Sequence, residues 1–124
     1  MRKSKEYVSN KELYKEMIVS LNMGKLTPRA QQMLILMIHR FSASFWFESE
    51  ELREHCVSTC YEHLFSSWIH YDLEYENAFA YFSQGIKRGI YSGWYSYYEF
   101  VYKDNYKRER VKFLRYNNME SDYL

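Results

Sequence analysis

A chain that turns tightly many times needs glycine and proline, and this one has four glycines and a single proline in 124 residues. Hairpin turns and barrel corners draw on the backbone freedom of glycine and the fixed φ of proline. A many-stranded barrel is therefore disfavoured, and helices joined by short loops are favoured. The length suits one domain with a modest core. The expectation is an all-α, compact helical domain of about four to five helices spanning residues 1–124, with a short basic and aromatic extension from about residue 95.

Four helices can be argued from caps and periodicity. Ser9 or Asn10 caps the first, which runs to about Leu21, with Leu13, Met17 and Leu21 recurring every four residues and Gly24 ending it. Thr27 followed by Pro28 opens the second in the favoured order, and its near-continuous apolar centre to about Phe41 suggests a buried element. Ser49 caps the third, with Glu50 and Glu51 in the first turn where the helix dipole favours them. Its core stripe is Leu52, Cys56, Cys60, Leu64 and Trp68, and the other side carries Glu51, Glu54, His55, Ser58 and Glu62. After an acidic loop, "HYDLEYEN", a fourth helix starts near Asn77.

That fourth helix opens the stretch "NAFAYFSQGIKRGIYSGWYSYYEF", which holds nine aromatic residues beside a Lys87–Arg88 pair. On a helix Phe79, Phe82, Ile86 and Ile90 form an apolar stripe. Tyr81, Gln84, Gly85, Arg88 and Tyr91 fall on another side, mixing rings, an amide, a guanidinium and a glycine gap that a ligand could approach. Rings beside cations suit single-stranded nucleic acid, because bases stack on the rings while the cations attract phosphate. The run "KDNYKRERVKFLR", with Lys107, Arg108 and Arg110, extends this into a phosphate-tracking surface.

Charge is divided along the chain. Residues 44–76 hold eight carboxylates against one base, Arg53, whereas residues 87–115 hold eight bases against three acids. Two partners of opposite sign would fit such a chain, although charges also cluster on faces that are simply solvated.

Catalytic signals are sparse. The carboxylates lie in charged runs without an apolar setting, and neither a glycine-rich phosphate loop nor GxSxG occurs. Cys56, Cys60 and His63 could share a helix face as soft metal ligands, but both cysteines also fall on the core stripe, where cysteine is an ordinary small apolar residue. A non-enzyme without cofactor or metal is expected. The thiols are read as reduced. "MLILMI" is too short to cross a bilayer and "MRKSKEYVSN" is unlike a signal peptide, so a soluble, intracellular protein is expected, with no membrane partner.

The order of segments "QQMLILMIHRFS", "FWFESEELREHCVSTCYEHLFSSW" and "NAFAYFSQGIKRGI" resembles region two of bacterial sigma factors, the part that holds core RNA polymerase and opens promoter DNA. "YVSNKELYKEMI" and the aromatic run "YSYYEFVY" make it similar in particular to the small late-transcription sigma factors of T-even-type bacteriophages, over about Tyr7 to Tyr106. The resemblance implies that Glu51, Glu54, His55 and Tyr61 dock on the polymerase clamp helices. It also implies that Tyr81, Gln84, Gly85, Lys87, Arg88 and Tyr91 meet the non-template strand of an AT-rich, −10-type late promoter, where a flipped adenine is caught among aromatic rings. Where cellular sigma factors carry a Trp-Trp pair this chain has Gln84–Gly85 or Gly85–Ile86, leaving Trp94 or the tyrosines after it to act as the wedge. The sequence stops short of a helix-turn-helix for a −35 element, and "MESDYL" resembles the acidic-hydrophobic tails that contact a sliding clamp, as an ordinary chain end also can. A sliding clamp or co-activator is thus a further implied partner, and the cytoplasm of an infected bacterial host the implied location. Two alternatives stand beside this reading: a polymerase-binding regulator without promoter melting, and a general single-stranded DNA-binding module.

Overall fold

The computed structural model of the chain describes residues 8–101 and 112–118. It is all-α, with no strand among the described residues. Helix α1 (Asn10–Met23) begins where the Ser9 hydroxyl accepts the Glu12 amide at 3.2 Å. It ends at Gly24, whose φ of 79° is left-handed, so the turn needs glycine. Thr27 caps α2 (Pro28–Ala43) by accepting the Ala30 amide at 3.0 Å. The α1–α2 turn is stitched from both sides: the Thr27 amide donates to Ser20 Oγ at 3.1 Å and its hydroxyl to Glu16 at 2.7 Å. Ser49 caps α3 (Glu50–Ser67), which tightens into a 3-10 turn at Trp68–His70.

Helix α4 (Ala78–Val101) is the longest element, and Asn77 caps it by accepting the Ala80 amide at 3.0 Å. Asn10 adds a second bond from α1, its Oδ1 accepting the Phe79 amide at 2.9 Å. None of these helices is long and apolar enough to cross a membrane.

The core is the expected set of stripes, extended, except that Leu21 and Phe79 are only partly buried and pack against its edge. Leu13 and Met17 of α1, Met33, Leu34, Met37 and Ile38 of α2, and all five stripe residues of α3 are buried. On α4 the stripe runs on from Phe82, Ile86 and Ile90 to Trp94 and Tyr98. The stretch from about residue 95, expected as a basic and aromatic extension, begins inside this helix. Helix α4 continues to Val101, and residues 112–118 return to the body, burying Phe113 and Leu114. The Phe113 ring stacks on Trp94 at 5.1 Å and meets Phe47 at 6.0 Å. Asn117 then grips the α2–α3 loop, accepting the Trp46 amide at 2.9 Å and donating to the Trp46 carbonyl at 3.2 Å.

The most extensive helix contact is between α3 and α4. Gly85, Gly89 and Gly93, at four-residue spacing, share the face of α4 turned to α3. A Cβ on Gly93 would lie 2.7 Å from Cys56 Cα, and one on Gly89 would lie 2.9 Å from Cys60 Sγ and 3.2 Å from its Cα. One on Gly85 would meet only Leu64 Cδ2, at an ordinary 3.6 Å. The interface is thus closest at its C-terminal end on α4.

These distances give opposite signs for one substitution. Gly93→Ala must push two backbones apart and should destabilise the fold by about 1–3 kcal/mol, the usual scale of overpacking. Gly85→Ala has room and reduces unfolded-chain entropy, so it should raise stability by about 0.4–1 kcal/mol. Urea unfolding should show the two midpoints moving in opposite directions. Movement of both in one direction would contradict the packing described.

Candidate nucleic-acid interface and docking face

The loop before α4 is pinned by hydrogen bonds. The Tyr75 amide donates to the Asp72 carbonyl at 2.9 Å, and the Glu74 amide to Asp72 Oδ1 at 2.9 Å. Tyr14 of α1 donates its hydroxyl to the Leu73 carbonyl at 2.8 Å, Asn10 Nδ2 donates to the Glu76 carbonyl at 3.2 Å, and Tyr71 donates to the Tyr75 carbonyl. Tyr71 is buried, and that burial, with Tyr14, Tyr81 and Asp72 adding to it, pushes its phenol up to about 12.

This loop holds Tyr75 against Tyr81 of α4, ring centroids 6.1 Å apart and 22° from parallel. Both rings face solvent, Tyr75 with 62% of its surface and Tyr81 with 37%. Tyr81 is backed by Tyr71 at 4.8 Å and Phe82 at 5.0 Å. Beside the pair opens a cleft of about 270 Å³, walled by Gln84, Gly85 and Arg88 of α4 and by His63 and Ser67 of α3. That volume falls below the range of drug-sized sites and suits one flat ring system. Stacking faces, a guanidinium for phosphate and an amide able to pair with a base edge meet in one place.

The structure thus brings together Tyr81, Gln84, Gly85 and Arg88, four of the residues expected on this face. Gly85 is less of an opening than expected, since it also faces Leu64 across the α3–α4 contact. Tyr91 lies further along α4, half-buried, its ring 6.3 Å from Tyr95, and half-buried Lys87 stands outside the cleft lining. Trp94 must be corrected: it is fully buried, packed on Tyr98 and Phe113, because it sits one four-residue step beyond Ile90 on the core stripe. Lys107, Arg108 and Arg110, like "MESDYL", lie outside the described residues. Sequence reasoning missed Tyr75, His63 and Ser67. Tyr75 was hidden in a loop read only as acidic, although a tyrosine two residues before the Asn77 cap is well placed to meet the first turns of α4.

The second site lies at the other end of α3. A groove of about 490 Å³ runs between α2 and α3, lined by Glu50, Glu54, Val57 and Tyr61 and by His39 and Ala43. Arg53, also in its lining, is engaged within the fold, donating to the Ser42 carbonyl at 2.7 Å, pairing with Glu50 at 3.6 Å and lying 4.9 Å over the Phe47 ring. The Tyr61 hydroxyl and His39 Nε2 share a hydrogen bond of 2.7 Å. Glu54 and Tyr61 therefore share the groove, while exposed Glu51 accepts from Tyr97 at 3.1 Å. His55 must be corrected as well. It was expected exposed on the outer acidic face, but it is half-buried, its Nε2 2.9 Å from Ser96 Oγ and its ring 5.7 Å from Tyr97, because α4 approaches closely enough to cover part of it.

Cys56 and Cys60 are fully buried, and burial raises both thiols, Cys60 to about 12. They are protonated core groups, and Cys60 donates to the Ile86 carbonyl at 3.4 Å. No cluster of three His, Cys, Asp or Glu side chains suited to a metal occurs among the described residues. No family model, curated protein or solved structure matches the chain.

The raised Tyr71 phenol makes alkaline stability a probe of the loop. Below its ordinary value of 10.0 the phenol is protonated folded or unfolded, and its contribution is complete. Between there and about 12 the unfolded chain gives up the proton first, so stability falls with rising pH. Tyr71→Phe should be less stable at neutral pH by about 1 kcal/mol for the lost hydrogen bond. It should also show a shallower alkaline decline in urea unfolding. An unchanged decline would place the phenol outside the linkage.

Proposed function

We propose that this chain is a non-enzymatic, sigma-like transcription initiation factor. It binds the clamp helices of core RNA polymerase through the α2–α3 groove, and it captures non-template bases of an AT-rich, −10-type late promoter in the Tyr75–Tyr81 cleft. The observation that carries the reading is the cleft itself. A stacked, solvent-facing tyrosine pair shares one small hollow with Gln84 and Arg88, on the helix that the segment resemblance assigns to promoter DNA. Extracting a base costs a few kcal/mol, and stacking on a ring returns about 1–3 kcal/mol per base, so one base on two rings with a phosphate at Arg88 offsets extraction. Gln84 favours adenine, to which a side-chain amide can pair in bidentate fashion.

The groove supports the polymerase half. Glu50 is paired with Arg53 at 3.6 Å, and Glu54 beside them leaves the edge with one carboxylate in excess to present to a basic helical partner. Along α3 the groove lining ends at Tyr61 and the cleft lining begins at His63, so the two sites follow one another on a single helix, their centres about 9 residues or about 14 Å apart, which suits a factor bridging two partners.

Burial of Trp94 favours a second reading, a regulator that docks on polymerase without melting DNA, because this tryptophan cannot act as the wedge while it fills the core. Run-off transcription with core polymerase on an AT-rich late-type template, paired with co-elution, separates the readings. Tyr81→Ala and Arg88→Ala should abolish promoter opening and leave co-elution intact, while Glu54→Arg should abolish co-elution. Co-elution of the unmutated chain without any transcript would favour the regulator. Oligonucleotide binding without co-elution would leave a single-strand binder.

A further inference from the structure

The Tyr75–Tyr81 pair stands between two hollows, and their charges are opposed. On one side is the cleft with Arg88 and His63. On the other is a wider hollow of about 580 Å³, which shares Tyr75, Tyr81 and Gln84 but adds Glu74 and Glu76 and, among the described residues, has no lysine or arginine in its lining. Both carboxylates are exposed, and Asp72 belongs to the same turn, where its Oδ1 accepts the Glu74 amide. The acidic hollow is the roomier of the two, so size alone does not keep a sugar–phosphate chain out of it. Charge does, because a phosphate there sits within a Debye length, about 10 Å at 0.1 M salt, of both glutamates.

We propose that Glu74 and Glu76 act as an electrostatic gate on the aromatic cleft, confining the strand's phosphates to the Arg88 side of the tyrosine pair. This rests on the reading of the cleft as a base-binding site. The gate makes the site selective. A base extruded from a strand that runs along the Arg88 side enters without penalty, whereas a strand lying across both hollows brings phosphate onto carboxylate. The gate cannot swing aside with its loop, because Asn10, Tyr14 and Tyr71 hold the backbone at Glu76, Leu73 and Tyr75.

The test is fluorescence anisotropy of the full chain with a labelled AT-rich single strand of about 12 nucleotides, within the usual range of single-strand site sizes. Glu74→Gln/Glu76→Gln should tighten binding about fivefold at low salt, and the gain should vanish near 1 M salt, where the Debye length is about 3 Å. A control pair of the same charge change, Glu48→Gln/Glu99→Gln, should tighten it by less than about twofold. Equal tightening by both pairs would reduce the effect to net charge and overturn the gate. No change in Glu74→Gln/Glu76→Gln, with Tyr81→Ala still weakening binding, would overturn the gate and spare the cleft. If that double variant instead lost co-elution with polymerase, the acidic hollow would serve a protein partner, again against the gate. Binding that is absent, or indifferent to Tyr81→Ala, would overturn the cleft reading and the gate with it.

Discussion

The backbones of α3 and α4 come so close that a single methyl group on Gly93 would lie 2.7 Å from the Cα of Cys56, and much of the molecule follows from that approach. Glycine inside a helix costs roughly 0.5–1 kcal/mol relative to alanine, so three of them burden α4 by about 1.5–3 kcal/mol. The helix tolerates this because the same face buries Phe82, Ile86, Ile90 and Trp94, each worth about 1.5–3 kcal/mol or more. The opposing residues are chosen to match. Cysteine is small enough for the backbones to meet, and its thiol still reaches a carbonyl, as Cys60 does at Ile86. Once the helices are this near, His55 is drawn onto Ser96 and Glu51 receives the Tyr97 hydroxyl. At the other end the interface relaxes, and His63 and Ser67 become the far wall of the aromatic cleft.

What could be read from the sequence was local. Ser9, Thr27, Ser49 and Asn77 announce helix starts because a capping side chain bonds an amide three residues away, within its own chain segment. The apolar stripes were legible for the same reason, since helical period is intrinsic to the backbone. Trp94 shows how a resemblance can outvote that period. Continuing Phe82, Ile86 and Ile90 by four reaches Trp94 and then Tyr98, both core, yet the resemblance offers Trp94, or the tyrosines after it, as the wedge against DNA. The glycines carried a signal that was passed over. Three of the four in the chain recur at four-residue spacing, a pattern that marks one helix face for close contact.

The features that were not legible depend on contacts between distant segments. His55 sits on α3 beside residues that do face solvent, and only the arrival of Ser96 and Tyr97, some forty residues later in the chain, half-buries it. Nothing in the aromatic and basic composition of the C-terminal third indicates that Phe113 will stack on Trp94, or that Asn117 will bind both backbone groups of Trp46. The aromatic cleft is of the same kind. Tyr75 becomes half of a ring pair only because α1, through Asn10 and Tyr14, fixes the loop that carries it.

The division of charge along the chain also changes meaning in three dimensions. Read linearly, an acidic middle and a basic C-terminal third suggest two separate faces. In the fold, the last carboxylates of the acidic segment, Glu74 and Glu76, lie on one side of the Tyr75–Tyr81 pair, and the first bases of the other segment include Arg88 on the opposite side. The charge boundary therefore passes through the candidate site rather than between sites. A ring pair at such a boundary senses direction, since a ligand with one charged edge can lie over it in only one orientation. The groove on the first three turns of α3 is separate from this boundary, joined to the cleft by an unbroken helix whose ends cannot move independently. A partner seated in that groove would fix the azimuth of the cleft as well as its distance. For a bridging factor, docking and base capture then become one geometric event, with no conformational change needed to link them.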